Sequence, residues 1–358
     1  MAMLCASSMW AQTKMASKKD ATQPSVLIWP LPPDPPRLRW LTEYKDMAKL
    51  NSGAVRKRGW LEKVTGSKTP EERLELRKPY GITTDSKGRI YVADMELHSV
   101  FVVDPAAKII ERRQGNSGAP LVMPAGVAID SEDRLFVSDA QFHSITCFSP
   151  GGDVIARFGT NYLGRPGGIT IDKPHNRLYT ADAKESRIAV FNTRSFEFQG
   201  YWGKPSISGK PEKGTFSSPS NVAVDRQGNL YVADTLNCRI QILNATGEFV
   251  RTFGVQGDNP GEFIRPKGIA VDSEGHIYVA DAEFNNFQVF SADGQPLLAV
   301  GTLGTAPGEF ALIAGMHIDA RDRIYTTEMY VGRIQVFQYI AQPASAGGQA
   351  SGKPSQHP

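Results

Sequence analysis

Cysteine is scarce in this chain. Cys5, Cys147 and Cys238 are the only three in 358 residues, too few and too scattered for a disulfide framework or a zinc site of C-x-x-C spacing. No Ser-His-Asp order, glycine-rich phosphate loop or other metal-ligand spacing stands out. Also missing is any apolar run of about 18 residues, so no membrane span is expected. A charged fraction of 22% and a hydrophobic fraction of 41% suit a folded soluble protein.

Charge is close to balanced overall, at +3, but unevenly distributed. Residues 1–77 hold 14 Lys and Arg against 8 Asp and Glu, whereas residues 78–358 carry a net −3. The opening "MAMLCASSMWAQTK" reads like the apolar end of a secretory signal, although Met9 stands where cleavage prefers a small residue. An extracytoplasmic location, periplasmic or secreted, is the expectation from it.

What the chain does have is one phrase written six times. "GRIYVADMELHSVFVV", "DRLFVSDAQFHSITCF", "NRLYTADAKESRIAVF", "GNLYVADTLNCRIQIL", "GHIYVADAEFNNFQVF" and "DRIYTTEMYVGRIQVF" align on Asp94, Asp139, Asp182, Asp234, Asp281 and Glu328. The intervals of 45, 43, 52, 47 and 47 residues are those of a propeller blade rather than a helical solenoid. Each phrase follows an element such as "PYGITTD" or "PKGIAVD" and precedes an apolar run such as "EFVRTFG". A unit therefore reads as four short strands, with "DSKGR" or "DRQGN" supplying the turn between the first two. Such a meander buries too little by itself, but packed around a ring it shares a continuous core.

These observations give an all-β fold, a six-bladed β-propeller of four-stranded antiparallel blades, with blades over 78–340. The sixth unit has only three strands before a Gly/Ser/Pro/Gln-rich tail, 341–358, that reads as disordered. "PRLRWLTEY", Pro36–Tyr44, is expected to supply the missing strand and close the ring. Residues 1–35 read as a candidate signal remnant followed by a proline-rich lead-in, with "WPLPPDPP" extended as polyproline II. The remainder of 36–77 reads as a helical or irregular excursion, with a helix start at Thr69 and Pro70.

"YVADTLNCRIQIL" and "NPGEFIRPKGIAVD" resemble the NHL repeat, and the resemblance covers about residues 78–338. The Trp-Pro-rich opening, basic stretch and "RKPYGITTD" together resemble bacterial six-bladed NHL proteins of unassigned function. The resemblance implies the fold strongly. NHL propellers include amidating lyases, RNA-binding domains and protein-binding modules, so function has to be argued from a site.

The repeated acid and the Arg five residues on, at Asp182/Arg187, Asp234/Arg239 and Glu328/Arg333, are expected to pair structurally and hold blade corners. Amidating lyases of this fold hold a metal with histidines from a P-H-x-[IL] element. The matching residues here are Tyr80, Ala125, Gly167, Ser220, Lys267 and Ala314. None is histidine, so no cofactor, metal or catalytic residue is assigned. His317 stands alone on an inner strand, while His175 and His276 fall in hairpin turns. Asn221 is the one inner-strand residue that a calcium site could use. Nucleic acid is not expected, because the blades are net negative.

Departure from the repeat supplies the remaining signal. Three residues after the acid, where the pattern favours Asn, stand Leu97, Phe142 and Phe284, with His98, His143 and Tyr330 adjacent. Lys78, Arg165 and Arg265 precede the inner strands, and Lys267 follows closely. The loops carrying both groups are expected on one propeller face, as aromatic anchors around a cationic rim. The expected function is a non-catalytic binding or scaffold module for a protein or small ligand. A propeller lyase or hydrolase with a channel metal is the alternative.

Overall fold

Six antiparallel sheets form the ring in a computed structural model that describes residues 26–45, 75–206 and 211–341. Among these residues there is no α-helix. The first blade runs Pro79–Thr84, Ile90–Asp94, Ser99–Asp104 and Ile109–Arg113, each strand pairing with the next. Blades two to five repeat that order from Pro124–Ile129, Pro166–Asp172, Asn221–Val224 and Pro266–Val271. The second and third strands are buried along almost their whole length because neighbouring blades cover them on both sides. Ile90–Asp94 is buried throughout, and the core forms between neighbouring blades.

The sixth sheet closes the ring as the sequence requires. Its own strands Ile313–Ile318, Arg323–Glu328 and Arg333–Tyr339 are followed by Leu38–Tyr44, which pairs antiparallel with the last of them from Leu38–Tyr339 to Tyr44–Ile334. A fifth strand, Ile28–Trp29, then pairs with Leu38 and Arg39. "WPLPPDPP" is therefore the turn of a hairpin and not the polyproline lead-in expected from its composition. Trp29 packs edge-on against Phe337, which gives this turn a hydrophobic reason to fold back. The candidate signal remnant at 1–25, the excursion at 46–74 and the tail beyond 341 lie outside the described residues.

The long 52-residue interval is explained by the connection into blade four. There Lys204–Pro205 pairs parallel with Thr215–Phe216, seating Phe216 in the core. Inner strands meet most closely at the third residue of each "PYG"-like element. A Cβ at Gly315 would lie 1.9 Å from the Tyr80 carbonyl oxygen, and one at Gly81 would lie 2.3 Å from that of Ala125. Glycine there lets six backbones converge, and Asn221 is the single exception, leaning over Gly168.

Candidate functional site

The repeated acid builds the loops around it. Asp94, with no exposed surface, accepts hydrogen bonds from the amides of Arg77 and Lys78 at 2.7 and 3.1 Å, and from those of Glu96 and Leu97 at 3.1 and 3.0 Å. One carboxylate thus ties the loop leading into an inner strand to the loop between strands two and three, and fixes both on the same face. Asp139 does so for Met123 and Phe142, and Asp281 for Arg265 and Phe284. Charge-assisted bonds to several amides satisfy the buried charge without a basic partner.

The expected acid and Arg pairs form in two of three places. Arg239 and Arg333 reach Asp234 and Glu328 at 2.8 and 2.7 Å. Arg187 does not reach Asp182. It lies with its guanidinium 3.4 Å from the Tyr201 ring centroid and 3.9 Å from Glu185, because Tyr201 on the outer strand offers an aromatic face that the other two blades lack.

At the mouth of the channel on this face, Tyr80, Ala125 and Ala314 pack with Met95 and Met329. The Lys267 ammonium sits 5.4 Å from the Tyr80 ring centroid, within range of a cation–π contact. Burial holds the Lys267 pKa below the usual lysine value, and the charges of Arg265, Arg165 and Lys78 press it lower still. Burial pushes the Tyr80 hydroxyl up to about 12, against the pull of Arg165. Four cations therefore gather beside one small apolar cluster. Glu283 lies 3.6 Å from Arg265, but both are half-exposed, so that pair neutralises little. Neither Lys78 nor Arg165 has an ion-pair partner among the described residues. The arrangement favours an anionic group seated beside an aromatic ring.

Further from the axis, the side chains differ from one another. Tyr330 is 82% exposed and Leu236 69% exposed. Phe142 and Phe284 are half-buried, and the Arg157 guanidinium covers Phe142 at 4.6 Å. Leu97 packs onto the core between blades six and one. His98 and His143 occupy the left-handed turn position four residues after the acid, as do Ser186, Cys238, Asn285 and Gly332. Nδ1 of His98 contacts the Val122 carbonyl of the next blade, so this ring braces a loop.

Reading for histidine at the second inner-strand position passed over what stands there, since Tyr80 joins the apolar cluster and lies beneath Lys267. Met95 and Met329, each directly after the repeated acid, were missed as well. The aligned phrases carry that signal, because the other blades have Ala140, Ala183, Thr235 and Ala282 at this place.

The six sheets define a β-propeller, and comparisons with known proteins agree. A family profile described as a 6-bladed beta-propeller matches residues 211–297. NHL repeat-containing protein 2 from Bos taurus is 36% identical over 98 residues, 26% of this chain and 13% of that protein. The chain is a six-bladed β-propeller whose repeats are similar to the NHL repeat. Peptidylglycine alpha-amidating monooxygenase from Rattus norvegicus is 28% identical over 176 residues, 48% of this chain. The match spans only 14% of that enzyme's length. A Bacteroides thetaiotaomicron protein of unknown function superposes with a TM-score of 0.60 at 16% identity, over 74% of this chain and 70% of its own. That likeness is one of fold.

Proposed function

We propose that the chain is a non-catalytic binding or scaffold module, and that the mouth ringed by Lys78, Arg165, Arg265 and Lys267 receives an anionic group of its partner. The observation that carries this reading is the half-buried Lys267, held over Tyr80 while three further cations press on it. Keeping like charges together is unfavourable unless a counter-charge arrives, so an incoming carboxylate or phosphate relieves repulsion as it binds. Exposed Tyr330 and Leu236 lie outward on the same face and suit a protein partner that brings apolar side chains with its acid. A rigid ring needs no ordering on binding, which favours recognition over induced closure.

The test is fluorescence anisotropy with acidic peptides that each carry one Trp or Leu. Lys267→Glu combined with Arg165→Glu should weaken binding at least tenfold, with affinity falling steeply as salt rises. Equal affinity of this variant and the unchanged protein would move the site elsewhere.

The partial match to an amidating enzyme is the reason to keep an enzyme reading, a lyase or hydrolase with a metal at the channel. The residues do not fit a histidine-held metal at this mouth. The second inner-strand positions offer Tyr80, Ala125, Gly167, Ser220, Lys267 and Ala314, and among the described residues no three His, Cys, Asp or Glu converge. Elemental analysis of purified protein discriminates, since a stoichiometric metal favours the enzyme. We place the protein outside the cytoplasm from its N-terminal composition, and cell fractionation tests that assignment.

A further inference from the structure

The opposite end of the channel holds a cavity of about 380 Å³, walled by the edges of all six inner strands and floored by the glycine ring. That volume lies in the range of small-molecule sites. Apolar residues along the walls, such as Ile82, Ile169 and Ile269, belong to the packed core between blades, which leaves inner-strand main chain facing the channel. Polar residues along its lining include Thr84, Lys173, Asn221, His317 and Arg321.

Their bonding leaves capacity unused. His317 shares a 3.0 Å hydrogen bond between Nε2 and the Thr84 hydroxyl, and its Nδ1 meets no described residue. Burial and the charge of Lys173 bring its pKa down to about 4, outweighing the pull of Asp319, so the ring is neutral near pH 7. The Asn221 carboxamide oxygen accepts from the Val222 amide at 3.0 Å, while its amide nitrogen bonds no described residue.

Cations and carboxylates both line this cavity. Asp85 and Asp319 line it but are already engaged by Arg89 and Arg323 at 2.6 and 2.7 Å. Lys173 and Arg321 form no close ion pair among the described residues, although the charge of Lys173 is felt at Asp133. A wall of amides and carbonyls both donates and accepts, as a hydroxyl does, and Lys173 and Arg321 can give a negative head group charge-assisted hydrogen bonds.

We propose that this end of the channel is a second binding site, separate from the mouth ringed by Lys267, and that it takes a small hydroxylated carboxylate. The carboxylate would face Lys173 and Arg321, and the hydroxyls would reach His317 and the amide of Asn221.

Calorimetric titration of the full chain with tartrate and with citrate tests the proposal, with erythritol as the neutral match. One equivalent of a hydroxycarboxylate should bind, erythritol at least tenfold more weakly, and Lys173→Ala with Arg321→Ala should lower affinity at least tenfold. The His317 ring signals should shift on binding in the NMR spectrum. No saturable binding of either acid overturns the proposal, as does erythritol binding equally well. Loss of tartrate binding in Lys267→Glu with retention in Lys173→Ala would assign the anion to the other mouth and overturn it too. Failure here leaves the peptide result at the Lys267 mouth untouched, because the two pairs of variants sit at opposite ends.

Discussion

Arg333 and Glu43, 290 residues apart in sequence, meet at 2.9 Å. The guanidinium is buried and also reaches Glu328 and the carbonyls of Thr305 and Glu309. It therefore joins the N-terminal strand, the last blade and the loop before it at a single point. Arg333→Ala leaves Glu328 buried without its base and should cost about 3–5 kcal/mol. Glu43→Gln should cost under about 1 kcal/mol, since that carboxylate is one-third exposed. Removal of residues 36–44 should destabilise the whole ring by exposing the Arg333–Tyr339 edge. Urea unfolding midpoints rank the three, and an unchanged midpoint for the deletion would mean that the ring closes another way.

Crowding of the inner strands is tested at Gly315. Its added methyl would meet the Tyr80 carbonyl at 1.9 Å, backbone against backbone, so Gly315→Ala should lose at least about 1–3 kcal/mol. Gly118→Ala, whose nearest neighbour is a side-chain atom at 3.6 Å, should change stability by about 0.5 kcal/mol or less. Thermal melts of the two variants give the comparison.

Two histidines should respond to pH in opposite senses. The hydrogen bond to Asp272 raises the His276 pKa above the usual histidine value, against the effect of burial. Its contribution is complete below the unfolded value near 6.5 and is lost as pH rises through the higher folded value. His317, with its pKa lowered to about 4 by burial, is uncharged when folded. The unfolded chain takes up its proton first, so stability falls on acidification from about pH 6.5 to about pH 4. NMR titration of the two rings, with stability of His276→Asn and His317→Asn followed across this range, checks both signs. Coincident titration of the rings would refute the assignment.

Exposure separates the outer aromatics. Tyr330→Ser should alter stability by about 0.5 kcal/mol or less, whereas Phe142→Ser, which strips the ring from beneath Arg157, should cost about 1–2 kcal/mol. If partner binding falls in Tyr330→Ser with the melting point unchanged, that ring is an anchor. A Phe142 variant that melts like the unchanged protein would show that its contact with Arg157 contributes nothing.

Much of the architecture was legible along the chain. Six phrases at a near-constant interval dictate six blades, because a four-stranded unit cannot bury its two faces alone. The three-stranded last unit dictates a borrowed strand, and "PRLRWLTEY" has the alternation to supply it. The buried acids were legible as corner holders, since a carboxylate at the same place in every copy serves the repeat itself.

Other features were decided only by the fold. Sequence could not show Arg187 leaving Asp182 for Tyr201, because the competing ring comes from a strand 14 residues later in the chain. Nor could it show "WPLPPDPP" folding into a hairpin, which rests on Trp29 finding Phe337 across the whole length of the blades. The convergence of Lys78, Arg165, Arg265 and Lys267 on Tyr80 is of the same kind, as is the meeting of His317 with Thr84. The last two join residues from different blades, and their distances are set by closing the ring. Local sequence specifies the blade because its hydrogen bonds are made within one repeat, whereas the channel belongs to no repeat and exists only once six inner strands face a common axis.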